Sequence, residues 1–230
     1  IDRARQVAPT AITVLLQGES GVGKELIAEV LHELSLRRHE QMVVVNCGAI
    51  PRELMESEFF GHEEGAFTGA IKKRPGLFPR AHKGSLLLDE IGEMPLSLQS
   101  KLLRVLQDGS FRPVGGNQEQ KADVRIICAT NQDLEKLTQE GQFREDLYYR
   151  LDVLPINIPP LRERKEDIEK LAQYFCRQIA YEMKIAPKDL SQGAIDKLKS
   201  YSWQGNIREL KNYLMRAFIL SKGQSIEADA

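Results

Sequence analysis

The chain has 230 residues, 42% hydrophobic and 28% charged, an ordinary globular balance at a size that buries roughly 70–75% of the unfolded surface without disulfides. With 32 basic and 33 acidic residues the net charge is −1, which removes any global electrostatic case for sequence-independent nucleic-acid binding and leaves only a local basic stripe open. Cys47, Cys128 and Cys176 are odd in number and far apart, no apolar run approaches the ~20 residues of a membrane helix, and no signal peptide is visible, so a cytoplasmic protein held in reducing conditions is expected, with no membrane partner.

Val14-Leu15-Leu16, closely followed by Gly18, predicts a buried strand. Residues 24–34 carry helical spacing, with Leu26, Ile27, Val30, Leu31 and Leu34 on one face. A second buried strand is expected over 43–45, a helix over 52–60, a third strand over 86–88, and an amphipathic helix over 96–106 with Pro95 at its first turn. Strands follow over 124–129 and 153–158. Continuous apolar strands alternating with helices imply an α/β fold whose parallel five-stranded sheet is covered on both faces. After Pro159-Pro160 the pattern turns helical, over 165–183, 193–200 and 207–221, and no further strand is expected. The division is therefore an α/β domain over 1–160 and a small all-helical domain over 161–230. Abrupt ends at Ile1-Asp2-Arg3 and Glu227-Ala228-Asp229-Ala230 read as those of a module cut from a longer protein.

Gly18-Glu19-Ser20-Gly21-Val22-Gly23-Lys24-Glu25 leaves the first strand and opens the first helix, the setting of a P-loop. Its glycines let backbone N–H groups turn inward onto phosphate oxygens, the helix N-terminus adds partial positive charge, and Lys24 would reach the β- and γ-phosphates of ATP. Glu25 stands where P-loops at large carry the Mg²⁺-binding Ser or Thr, which shifts metal binding onto a second acidic motif. That motif is Ser85-Leu86-Leu87-Leu88-Asp89-Glu90, an apolar strand ending in two carboxylates where open α/β sheets bind ligands. Asp89 would hold Mg²⁺, directly or through water, and Glu90 would orient and polarise the attacking water. Thr130 and Asn131, at the end of another strand, read either as γ-phosphate sensors or as capping residues for a helix near Asp133, and pattern alone favours capping.

Glu64-Gly65-Ala66-Phe67-Thr68-Gly69-Ala70 places a lone aromatic and a threonine between glycines, and an exposed Phe at a loop tip suggests a contact. Gly65 to Ala70 resembles, residue for residue, the signature loop of bacterial enhancer-binding proteins, the AAA+ activators of RNA polymerase carrying sigma-54. The resemblance extends over nearly the whole chain. The family's own P-loop commonly has Glu after the lysine, with Thr at the position of Val22. Asn46 matches an Asn that holds the catalytic Glu in a switch, and Leu88-Asp89-Glu90-Ile91-Gly92-Glu93-Met94-Pro95 is similar to the family's acidic motif. Phe143 to Leu151 is similar to the segment that bears two arginine fingers, matched by Arg144 and Arg150; read without the family, both would pair with Glu145 and Asp146 on a solvated face. Trp203 to Leu210 resembles the sensor II motif, with Gln204 where Pro is usual and Arg208 directed at the phosphates, and Leu161-Arg162-Glu163-Arg164 resembles the interdomain linker. Phe111-Arg112-Pro113-Val114-Gly115-Gly116 is similar to the second pore loop, departing from it at Pro113, where Arg is frequent.

The resemblance implies a P-loop AAA+ core with a helical lid, and an ATPase that is Mg²⁺-dependent and shares its active site between subunits of a hexameric or heptameric ring. Its partner would be sigma-54 RNA polymerase, gripped by the Phe67-Thr68 loop. DNA contact would come only through a helix-turn-helix domain, and control through a regulatory domain, neither in this chain. Arg208, Lys211, Arg216 and Lys222 of the last helix read as one sensor arginine and a solvated face rather than a DNA-reading helix. Two other readings are an AAA+ remodeller of a different protein or nucleic acid, and a regulator that uses nucleotide only for assembly. Zinc-ligand, nucleophile-elbow and dinucleotide-fingerprint spacings are missing from the sequence.

Overall fold

The computed structural model describes residues 2–221, 223 and 225–228, and the chain divides into two units: 2–17 with 24–157, and 18–23 with the described part of 158–230. In the first unit, α1 (Asp2–Val7), β1 (Val14–Gln17), α2 (Lys24–Glu33), β2 (Met42–Asn46), α3 (Arg52–Phe60), α4 (Leu77–Arg80), β3 (Ser85–Asp89) and α5 (Leu96–Asp108) follow in chain order. A short antiparallel ladder of β4 (Ser110–Phe111) with β5 (Gln120–Lys121) comes next, then β6 (Arg125–Thr130), α6 (Leu134–Gln139), α7 (Glu145–Leu151) and β7 (Pro155–Asn157). Five strands form one parallel sheet in the order β2-β3-β6-β1-β7. This is the α/β architecture the alternating pattern predicts.

Burial explains both the agreement and the departures. β3 and β6 lie inside the sheet, and their continuous Leu, Ile and Cys runs are buried on both faces. The apolar run of β2 predicts equal burial, but β2 is an edge strand and Val44 is 46% exposed on its open face. β7 is the opposite edge, shorter than the strand expected over 153–158, and Val153 is exposed outside it. The face expected of the first helix is also rotated: Ala28, Leu31 and His32 are buried, whereas Leu26 and Leu34 face outward. His32 can be buried because its ring is paired at both ends. Nε2 donates to the Glu40 carbonyl at 3.1 Å, which leaves Nδ1 to accept from the Ser85 hydroxyl at 2.9 Å. Pro95 takes the cap position of α5 rather than its first turn.

Arg125, buried at the start of β6, ties both N-terminal helices to the sheet. Its guanidinium donates to the carbonyls of Ala8 (2.6 Å), Val7 (3.2 Å) and Leu31 (3.3 Å), the C-terminal ends of α1 and α2, where partial negative charge gathers. Arg125→Leu is expected to lower the urea-unfolding free energy by about 2–4 kcal/mol, because a buried polar group left unpaired costs on the order of 1–3 kcal/mol and three carbonyls lose this donor. An unchanged urea midpoint would mean that the buried cation contributes nothing to stability.

The second unit contains α8 (Glu166–Met183), β8 (Asp189–Leu190), α9 (Gln192–Ser200), α10 (Asn206–Leu220) and β9 (Ser225–Ile226). Ser191 caps α9 through the Ala194 N–H. Trp203 is buried at its centre, with the indole N–H on the Leu198 carbonyl at 2.7 Å and edge-to-face contacts to Tyr201 and Tyr213. The expectation of no strand beyond residue 160 is overturned by β8 and β9, which pair in parallel. A two-residue ladder between segments distant in sequence leaves no periodicity to read. On α10, Arg216 is exposed and Lys211 Nζ stands over the Phe175 ring at 5.9 Å; Lys222 lies outside the described residues.

Candidate functional site

In the first unit, the parallel strands bring polar residues to one edge of the sheet. Asn46 ends β2 in register with Asp89 at the end of β3, and Thr130 ends β6 in register with Gln17 of β1. This is the C-terminal edge at which open α/β sheets bind ligands. Glu90 follows Asp89 in the left-handed region (φ 53°, ψ 46°), uncommon for a residue with a Cβ, and its N–H is held by Asp89 Oδ1 at 2.9 Å. A bend here lifts the Glu90 carboxylate out of the strand direction. A Cβ on Gly48 would lie 2.7 Å from Glu90 Oε2 and 3.3 Å from Asn46 Oδ1, so both side chains flank that glycine. Asn46 Oδ1 is engaged with the Ala49 N–H at 3.2 Å, as cap of the short turn after β2. Burial, with Asp89 and Glu90 nearby, pushes the Cys47 thiol up to about 12, so it stays neutral beside the carboxylates. Thr130 is buried, and its hydroxyl accepts the Gln132 N–H at 3.0 Å; Asn131 is exposed. Asp133 itself caps α6 through the Lys136 N–H. Asp89 ends its strand with a hard carboxylate oxygen donor, the type that suits Mg²⁺ rather than a thiolate-seeking metal. Lys24 and Glu25 open α2.

The two arginines of 143–151 differ in their partners. Arg144 precedes α7 and makes two hydrogen bonds to Asp146, at 3.0 and 2.7 Å, with the side chain 43% exposed. Its guanidinium pKa is raised by those bonds and that of Asp146 is lowered by the same pair. Arg150 instead donates to the Leu106 carbonyl near the end of α5, at 2.9 and 3.3 Å, and not to an acidic residue.

The loop at Gly65 to Ala70 is closed on itself. The Gly65 N–H reaches the Ala70 carbonyl at 2.8 Å, and the Ala70 N–H reaches the Phe67 carbonyl at 2.9 Å. Gly65 and Gly69 have φ of +75° and +105°, which favours glycine at both ends of the turn. Phe67, 38% exposed, rests edge-on to the His62 ring with centroids 5.1 Å apart; Thr68 is exposed at the tip. Segment 111–116 joins the base of this loop: Glu63 N–H donates to Val114 O at 3.0 Å, and Val114 N–H to Gly61 O at 2.9 Å. Pro113 is buried there. Phe59, Phe60, Phe78 and Phe111 cluster below, with Phe60 and Phe78 stacked at 5.4 Å.

In the second unit, Gly18 to Gly23 is gripped by polar side chains. Arg162 meets the Glu19 carboxylate with two bonds of 2.6 and 2.8 Å. Asn206 donates to Glu19 Oε2 at 3.0 Å and to the Ser20 carbonyl at 3.1 Å, and accepts the Leu161 N–H at 2.8 Å. Arg208 reaches Ser20 Oγ at 2.9 Å, and Arg164 reaches the Val22 carbonyl at 2.8 Å. Gly21 (φ +78°) admits no side chain, since a Cβ would sit 2.5 Å from the Gly205 carbonyl. Val22 is a buried apolar residue, leaving only its main chain to meet a phosphate. Sequence reasoning assigned no role to Asn206. Its signal was an Asn after Gly at the start of a helix pattern, and it adopts φ +54° there.

Hydrogen bonds from Arg162 and then Asn206 hold the Glu19 carboxyl at about 2, against an ordinary 4.5. A depressed carboxyl contributes stability that is complete above about 4.5 and is lost as pH falls through that window toward 2. The stability gap between the wild type and Glu19→Gln is therefore expected at neutral pH and should close across this window in pH-dependent urea titrations. A gap independent of pH would dissociate the Arg162 contact from acid sensitivity.

The family described as Sigma-54 interaction domain matches residues 1–157, and the AAA+ ATPase lid domain matches residues 162–230. Similar curated proteins include the regulatory protein AtoC of Escherichia coli (strain K12), 52% identical over 221 residues, 96% of this chain and 48% of that protein. The Nif-specific regulatory protein of Azotobacter vinelandii is 52% identical over 228 residues, covering 99% and 44%. This chain spans about half the length of the curated relatives it matches. Among solved structures, NtrX from Brucella abortus in complex with ADP superposes with a TM-score of 0.92 at 41% identity, over 99% of this chain and 51% of that one; its complex with ATP gives 0.90, over 99% and 53%.

Proposed function

This chain belongs to the Sigma-54 interaction domain family and carries an AAA+ lid domain after it, and on that footing we propose that it is the ATP-hydrolysing motor of a bacterial sigma-54-dependent transcriptional activator. The observation that carries the reading is the joint presence, in one 157-residue family match, of the carboxylate pair Asp89-Glu90 at a sheet edge and the self-closed Phe67-Thr68 loop. The functional division falls after residue 160. Gly18, Glu19, Ser20, Gly21, Val22 and Gly23 present main-chain N–H groups to the phosphates of ATP, and Lys24 meets the β- and γ-oxygens. Glu25 lies beside them as an acid in the first turn of α2. Mg²⁺, held by Asp89, would neutralise charge on the phosphate oxygens when bound.

Glu90 takes the proton of the attacking water and orients it in line. Asn46 restrains Glu90 by binding its carboxylate when the site is not competent. Thr130 and Asn131 answer to the γ-phosphate from the neighbouring strand tip, and Arg208 from the lid. Arg144 and Arg150 act on the nucleotide of the next subunit in a closed ring of six or seven copies. Gly65 to Ala70 forms the contact with sigma-54 RNA polymerase, raised or lowered by the state of the γ-phosphate. DNA binding and signal reception belong to other domains of the full protein, which would work in the bacterial cytoplasm.

Two measurements test this. ATP turnover per subunit should rise steeply with protein concentration, because the site is completed between copies. Sigma-54 should be retained on the immobilised chain in the presence of a transition-state analogue of ATP. Turnover without retention would favour an AAA+ remodeller of another substrate, and retention without turnover a nucleotide-dependent assembly factor.

A further inference from the structure

Gln99 lies in the first turn of α5 and is fully buried, yet it is polar and outside the motifs that carry ATP chemistry. Both polar atoms of its amide are engaged. Nε2 donates to the Met94 carbonyl at 2.8 Å and to the Gln142 carbonyl at 3.1 Å, and Oε1 accepts the Arg144 N–H at 2.8 Å. Met94 closes the turn that begins at Glu90, through Glu93 N–H to Glu90 O and Met94 N–H to Ile91 O, each a main-chain bond of 2.9 to 3.1 Å. Arg144 caps α7, so its own N–H precedes the helical ladder and has no acceptor within it. Gln99 supplies that acceptor, while buried Phe143 anchors the preceding residue. At the far end of the same helix, Leu106 accepts Arg150. One helix therefore touches the main chain behind Glu90 at its start and both arginines along its length.

We propose that Gln99 is a positioning residue for ATP hydrolysis: it ties the main chain behind Glu90 to the main chain that carries Arg144, so that α5 sets the finger one subunit presents to the next according to the state of its own site. The inference rests on the reading of Arg144 as a finger acting in trans. A buried amide that merely satisfied three main-chain groups would affect folding alone; a positioning amide has its effect in the neighbouring subunit's site.

That difference is measurable in mixed assemblies. Gln99→Met keeps side-chain length and removes both donor and acceptor. Turnover is expected to fall about 10²-fold, the scale set by misplacing a catalytic group by ~1 Å, while ATP binding is retained. Mixed with Glu90→Gln, it should recover turnover above the sum of the two separate proteins, since Glu90→Gln subunits bring intact fingers to Gln99→Met sites. Arg144→Ala mixed with Glu90→Gln is the control. If the control recovers and the Gln99→Met mixture does not, Gln99 acts only within its own subunit and the inference is overturned. If the control itself fails to recover, the trans finger is wrong and the inference falls with it. Should thermal unfolding show that Gln99→Met does not fold, Gln99→Asn, polar but one methylene too short to reach Arg144, replaces it in the same mixtures: recovery supports the inference, and no recovery beside a recovering control overturns it.

Discussion

Arg144→Ala is expected to lower ATP turnover by a factor of 10³–10⁵, about the worth of an arginine finger on a transferring phosphoryl group, with nucleotide binding retained. Magnitudes decide that the observed Asp146 pair is no obstacle. An exposed ion pair contributes about 0–1 kcal/mol, and this one is about half exposed at both partners. A phosphoryl group carrying several negative charges would therefore outcompete Asp146 once a neighbouring subunit presented it, as the proposed finger role requires. The check is steady-state turnover across a concentration series, with nucleotide affinity measured separately. Turnover that ignores both protein concentration and the loss of Arg144 would mean that each chain hydrolyses ATP alone, and the ring mechanism would be abandoned while the P-loop ATPase stood.

The second large effect is expected at the loop. Phe67→Ala should abolish open-complex formation with sigma-54 polymerase while leaving ATP turnover largely intact. The Phe67 ring rests edge-on against His62, and turn hydrogen bonds inside Gly65 to Ala70 close the loop that carries it. An aromatic pair of this kind is worth about 0.5–1.5 kcal/mol, little enough for a nucleotide-driven movement to reverse. The loop's closure is internal, so removing the ring leaves Asp89 and Glu90 with the bond they make to each other. Open-complex formation on a sigma-54 promoter, assayed beside ATPase rates for the same preparations, separates the two activities. Transcription that survived loss of Phe67 would disprove the loop's role in gripping the sigma factor.

Legibility followed the range of the interactions. α3 forms over the residues its pattern predicts, and β3 and β6 are the buried strands that unbroken apolar runs announce. Strand tips were equally readable, because a polar residue that follows an apolar run marks where the strand ends, whether it lies exposed or, like Thr130, buried; the structure brings Asn46, Asp89 and Thr130 to one edge. Where one face of a segment was open, the reading failed. Val44 points to the face opposite Val43 and Val45 because successive strand side chains alternate, and on this edge strand that face is open; the buried face of α2 depended on which side met the sheet.

Composition and local pattern by themselves determined the α/β class, the helical turn of the pattern after residue 160 and the phosphate-loop spacing, whereas the signature loop was named only through its resemblance to a known family. These depend on periods of two and 3.6 residues and on short runs whose chemistry is contiguous. Tertiary structure alone decided the partners. Gln99 bonds to residues 43 and 45 positions away, Asn206 reaches Glu19 across 187, and Arg125 finds its carbonyls across 94 to 118. A buried polar side chain is placed by which groups burial leaves unsatisfied around it, and that set exists only once the strands and helices have packed.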